Sequence, residues 1–139
     1  MKTLEKMLLA LLCMTLLTVA VTAIAEEEDP QAKLAKESEE AAKASATTKP
    51  TPEMIIEKVT KASAMLAEEG EEGFKKLQGT GSDYIFAGTY IWIHDMKGIM
   101  RIHPIKYKLN GKSILGLKDS NGKLFFTEMN KVAGEKGAG

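Results

Sequence analysis

Five side chains suited to polar recognition fall close together in this chain: Tyr90, Trp92, His94, Arg101 and His103. They include the only Trp, the only Arg and both His residues. A guanidinium offers a planar fork of donors that fits a carboxylate. An imidazole can add a hydrogen bond to the same anion. Phenol and indole rings make apolar walls with polar tips that orient a small molecule. The chemistry implied is retention of a small anion. Nothing in the group supplies a nucleophile with its base or a pair of carboxylates, so catalysis is not expected.

These residues need a strand pair to bring them together. Tyr90 to Asp95 and Ile99 to His103 read as two short strands joined by a turn at Asp95 to Gly98. Side chains alternate between faces in a strand. With the turn centred between Met96 and Lys97, Trp92 lies opposite Arg101 and Tyr90 opposite His103. Tyr90, Trp92, His94, Arg101 and His103 then share one face, and Ile91, Ile93, Met100 and Ile102 the other. His94, beside the turn, is expected at the solvent. Pro104 ends the second strand because it cannot donate to a ladder.

Before the hairpin, Thr51-Pro52-Glu53 is a helix start, with a capping hydroxyl, a proline at the first helical position and an acidic first turn. Ile55, Val59, Ala62, Leu66, Phe74 and Leu77 recur at helical spacing. Gly70 is where this helix should bend or break, and Gly79-Thr80-Gly81 ends it. Ser82 to Phe86 is extended, with Ala87-Gly88 a bulge or break. Ile105 to Leu117 reads as a loop, Asp119-Ser120-Asn121-Gly122 as a turn, and Lys123 to Val132 as helical. Two confident strands make a thin sheet, since three or more are usually needed for independent stability.

The first 25 residues read as a secretory signal. Lys2 and Lys6 precede the apolar run Met7 to Ala20, and Ala23-Ile24-Ala25 is a small-x-small cleavage site followed by acidic residues. An uncleaved signal anchor is the alternative, in which case the chain meets a membrane. Cys13, the single cysteine, lies inside this run, which leaves no thiol for disulfides or metal ligation in the exported part. Residues 26–50 are rich in Ala, Glu, Lys, Ser and Thr with only Leu34 as a large apolar group. They are expected to be a disordered or helical linker, leaving 51–139 as the domain. Net charge is zero. The balance is acidic up to Gln78 and basic from Gly79 onward, which favours an anionic small molecule over nucleic acid, because the basic residues are scattered Lys with no recognition motif. A metal site is not expected, as His94 and His103 match no zinc spacing. No haem, phosphate-loop or dinucleotide motif calls for a cofactor.

From Thr51 to Gly139 the chain resembles a Cache domain, the extracytoplasmic sensor module of bacterial receptors, most closely the single Cache domain of the second type. The resemblance rests on Glu68-Glu69-Gly70-Glu71-Glu72-Gly73-Phe74-Lys75-Lys76, Tyr90-Ile91-Trp92-Ile93, Gly98 and Arg101-Ile102-His103-Pro104. It continues through Leu109-Asn110-Gly111-Lys112-Ser113, Leu117-Lys118-Asp119-Ser120-Asn121-Gly122-Lys123 and Gly134-Glu135-Lys136-Gly137-Ala138-Gly139. It implies an α+β, PAS-like fold with a long N-terminal helix packed on an antiparallel sheet and a pocket on the opposite face. Further strands are implied beyond Gly139, so the domain is expected to be C-terminally incomplete. Ligands of the family are small organic acids, amino acids and related metabolites.

The expectation is an exported, periplasmic or secreted, binding or sensing protein for a small carboxylate-bearing metabolite. Arg101 and His103 would meet the anion, with Tyr90 and Trp92 as walls. Arg101 could instead stack on Trp92, and His103 could bond local backbone. Lys118 and Asp119 match a family motif, so both are carried as ligand contacts, although Asp119 also suits an Asx turn. The alternative is a structural or interaction module whose open sheet edge pairs with another chain, a homo-oligomer or a signalling partner.

Overall fold

The computed structural model describes residues 28–137; the expected signal and Cys13 lie outside them. The fold is α+β. Among the described residues three helices, α1 (Pro30–Ser45), α2 (Pro52–Glu69) and α3 (Phe125–Lys136), accompany four short strands. The strands are β1 (Ile85–Phe86), β2 (Thr89–Tyr90), β3 (Ile93–His94) and β4 (Met100–Ile102). They form two antiparallel pairs, β1 with β2 and β3 with β4.

Residues 30–45 are a packed helix rather than a loose tether. Asp29 caps it by accepting from the Gln31 amide at 3.0 Å, and Pro30 occupies the first turn. Its buried face is Ala35, Ser38 and Ala42. A composition with Leu34 as its one large apolar residue argues against burial, but small residues let a helix approach closely. Hydroxyls then do the joining. Ser38 Oγ donates to the Leu34 carbonyl (2.7 Å) and accepts from the Gly79 amide (2.8 Å). Ser45 Oγ accepts from the Gly88 amide at 3.2 Å, so α1 holds both ends of the segment that carries β1. Ser38 is fully buried. Ser38→Ala strands a buried amide and is expected to cost about 1–2 kcal/mol in urea unfolding; an unchanged midpoint would show that α1 does not hold Gly79.

Helix α2 begins at the expected cap, with Thr51 Oγ1 accepting from the Met54 amide. It stops at Gly70, whose φ of 60° lies in the left-handed region. The chain continues as a 3-10 segment, Gly70–Leu77, which folds back on the helix and brings Phe74 and Leu77 against Ala62 and Met65. With Ile91, Ile93 and Ile102 these make one apolar cluster. Ala87-Gly88 is a two-residue hairpin turn rather than a bulge. Phe86 pairs with Thr89, and both turn residues have positive φ (47° and 76°), as such tight turns require.

A second cluster, Met100, Ile114 and Phe126 with Trp92, Leu109 and Phe125, lies on the other side of β3–β4. Met100 therefore does not share a face with Ile102, contrary to the simple alternation. Two local features explain this. The turn has three loop residues, not two, because Asp95 N–H bonds the Ile99 carbonyl and Gly98 takes φ 75°. Pairing therefore runs His94 to Met100. The register then shifts again, and Ile93 pairs with Ile102. Arg101 is the extra residue at that irregularity.

Candidate functional site

The two register slips decide which side chains meet. Each one-residue displacement moves a side chain to the opposite face. The first removes Arg101 from opposite Trp92. The second restores the original face beyond Arg101, and continuing the Ile93–Ile102 register brings His103 opposite Trp92. The rings of Trp92 and His103 lie nearly parallel, 16° apart with centroids 6.5 Å apart. Tyr90 joins them, 5.2 Å from His103 and 6.3 Å from Trp92. Phe126 of α3 closes the group edge-on to Trp92.

Arg101 is exposed and forms an ion pair with Glu71 of the 3-10 segment, with Asp95 Oδ2 at 3.9 Å. It does not share the Trp92 surface. His94 is half-buried rather than solvent-exposed, edge-on to Phe126 and 2.9 Å from Asn130 Oδ1. Lys118 and Asp119 are exposed in a loop. There Asp119 Oδ1 accepts from the Asn121 and Lys123 amides, both at 2.9 Å, which is the Asx-turn role.

Tyr90, Trp92 and His103 bound a cavity of about 210 Å³, completed by Lys106, Leu109, Leu117, Phe125 and Phe126. His103 is buried, and its orientation is fixed by backbone. Its own amide donates to Asn110 Oδ1 (2.8 Å). Pro104 bends the chain so that the Lys106 and Ile105 amides return to His103 Nδ1, at 2.9 and 3.3 Å. An atom that accepts two N–H groups carries no proton, so the neutral imidazole holds its proton on Nε2 and can donate there. Burial first, and the Lys106 ammonium second, lower the His103 pKa to about 4. Burial also pushes the Tyr90 phenol up. Near neutral pH the cavity therefore holds a neutral N–H donor and a neutral phenol, with one cation, Lys106, at its border. Lys106 and Phe126 were not in the sequence-based set. The His-Pro-x-Lys spacing was the available signal for Lys106, since the proline bend returns residue 106 to the imidazole.

Across its length the chain matches a known protein family: residues 14–139 fit the description Single Cache domain 2. The chain belongs to this family. No solved structure matches it. Cache domains are extracytoplasmic ligand-sensing modules. The matched range spans α1. Among the described residues no helix is long and apolar enough to cross a membrane.

Proposed function

We propose that this Cache domain binds a small organic acid in the cavity bounded by Tyr90, Trp92 and His103, with the carboxylate at His103 Nε2–H and Lys106. The observation that carries the reading is the double backbone donation to His103 Nδ1, which leaves Nε2–H of a buried ring as a donor without a partner among the described residues. A carboxylate accepts such a bond, and a nearby ammonium strengthens it. The aromatic walls suit an apolar body. No acidic side chain lines the cavity among the described residues, so an α-ammonium group has no partner, which favours organic acids over amino acids. Arg101, tied to Glu71, is left out of the contact set, and Lys118 and Asp119 stay with their loop. Export through cleavage after Ala25 and a PAS-like arrangement of the fold belong to the same reading.

Calorimetric titration of the purified protein with short monocarboxylates and the matching amino acids tests it. Binding of the acids, weakened about threefold to tenfold by Lys106→Ala, is expected. A folded sample that binds neither series would refute the proposal.

One observation favours a second reading, an interaction module. Ile55, Val59 and Leu66 of α2 face Phe86, Ile91 and Ile93 across an apolar groove of about 460 Å³. Ile55, Ile56 and Val59 remain exposed, and exposed apolar surface of this kind commonly meets a partner. Light scattering separates the two readings: an obligate oligomer without affinity for acids supports the second.

A further inference from the structure

A second cavity, which shares Trp92 and Phe125 with the wall of the proposed carboxylate site, collects donors of another kind. Its volume is about 690 Å³, and Trp92, His94, Met96, Glu128, Met129 and Asn130 contribute to its wall. We infer that His94 Nδ1 and the thioether sulfurs of Met96 and Met129 form a site for a soft monovalent metal ion of the Cu(I) or Ag(I) class, next to the Trp92 indole.

Three features on different elements support this. The first is the orientation of His94. Asn130 Nδ2 lies 3.2 Å from the Met96 carbonyl and 3.5 Å from that of Asp95. Carbonyls only accept, so this atom must be the amide nitrogen, and Oδ1 must face His94 Nε2 at 2.9 Å. Nε2 therefore donates, and in the neutral ring Nδ1 keeps its lone pair. Among the described residues no hydrogen bond engages Nδ1. Metal-binding histidines are usually fixed in this manner, with the second ring nitrogen donating to an oxygen. The same Asn130 side chain also anchors the backbone of Met96, so one residue positions two of the three donors.

The second feature is the exposure of the sulfurs. Met96 is 60% exposed and Met129 40% exposed. Both border the cavity, Met96 from the β3–β4 turn and Met129 from α3. Thioethers are weak ligands for hard cations and good ones for Cu(I) and its analogues. Glu128 is the one carboxylate on the cavity wall, too few hard donors for calcium or magnesium, which take six or more oxygens. The third feature is Trp92, whose π face attracts a nearby cation.

Met96 also packs, its methyl 3.4 Å from where a side chain on Gly134 would begin. Leucine preserves such packing and removes the sulfur, so it separates ligation from cover. Silver nitrate is added to the purified protein in chloride-free buffer while the fluorescence of Trp92, the only indole, is followed. Saturation at a single equivalent with a dissociation constant of about 10 μM or tighter is expected. Met96→Leu and Met129→Leu should each weaken binding at least about tenfold with an unchanged melting temperature, and Asn130→Ala by a similar factor. In a histidine nitrogen NMR spectrum, silver should move the His94 Nδ1 resonance and leave His103 in place. Zinc at equal concentration should not compete. The inference is overturned by unsaturable quenching, by leucine variants that bind within about twofold of the parent, by effective zinc competition, or by a shift confined to His103.

Discussion

Replacing Gly98 with alanine is expected to destabilise the protein by about 2–4 kcal/mol, through two effects in the same place. Gly98 has φ 75°, a conformation that costs an L-residue roughly 1–2 kcal/mol. It is also buried against the loop after β4. A Cβ there would sit 2.3 Å from Leu115 Cγ and 2.5 Å from Leu115 Cδ2, so the leucine must move or the turn must open. The turn is not free to open. The Gly98 amide donates to the Asp95 carbonyl (2.9 Å), and the Gly98 carbonyl accepts from the Ile114 amide (2.8 Å). Ile114 is fully buried beside Met100 and Phe126, and the movement would therefore reach the core cluster under Trp92. Urea unfolding gives the magnitude, and Trp92 emission shows whether the disturbance arrives at the aromatic group. A cost below about 1 kcal/mol would mean that the three-residue loop does not set the β3–β4 register.

That register is also where the sequence was least legible. Asp95-Met96-Lys97-Gly98 accommodates a loop of two or three residues, and the choice rests on Gly98 adopting positive φ while Asp95 Oδ1 collects the Lys97 and Ile99 amides. Alternation alone carries no mark of the second displacement at Arg101. The α2 cap and the stop at Gly70 were readable, because each depends on the residue's own backbone preferences. The burial of α1 was not, although a helix there was one of the two alternatives, because that burial depends on close approach by Ala35 and Ala42 and on two serine hydroxyls reaching residues far away in sequence. Tyr90, Trp92 and His103 could be grouped from their spacing. The removal of Arg101 to Glu71 could not, and the arrival of Lys106 needed the proline bend to be followed in three dimensions.

The two displacements also shape what the cavity can hold. Had Arg101 stayed opposite Trp92, the wall would carry a permanent cation with a bidentate fork, suited to a doubly charged or tightly gripped anion. With Arg101 outside, its guanidinium already satisfied by Glu71, the cation left at the cavity is the exposed Lys106. The stronger positioning comes from an uncharged, buried imidazole. Selectivity would then rest on the fit of the ligand body against Tyr90, Trp92 and Phe126, and less on charge.

Acid should weaken this protein through His103, and the direction follows from its bonds. The folded pKa of about 4 lies below the ordinary 6.5, so the unfolded chain takes up the proton first as pH falls. The stability that depends on neutral His103 is complete above about pH 6.5 and declines down to about pH 4, by at most about 3 kcal/mol in total and by less to the extent that solvent screens the ring. Protonated Nδ1 would present an N–H to the Ile105 and Lys106 amides, replacing two hydrogen bonds with donor–donor contacts beside the Lys106 charge. His103→Asn is the informative comparison. Its side-chain oxygen can accept from the same amides, as Asx turns do, and it does not titrate. Urea unfolding midpoints of both proteins at pH 7 and pH 4.5 should diverge at the lower value, where the parent loses stability that the variant keeps. Equal losses would show that other groups carry the acid sensitivity. A carboxylate bound at Nε2 stabilises the imidazolium and must raise the His103 pKa, by the same linkage that couples folding to protons. Ligand should therefore move the acid transition to a different pH, and the size of that movement measures how closely the anion approaches the ring.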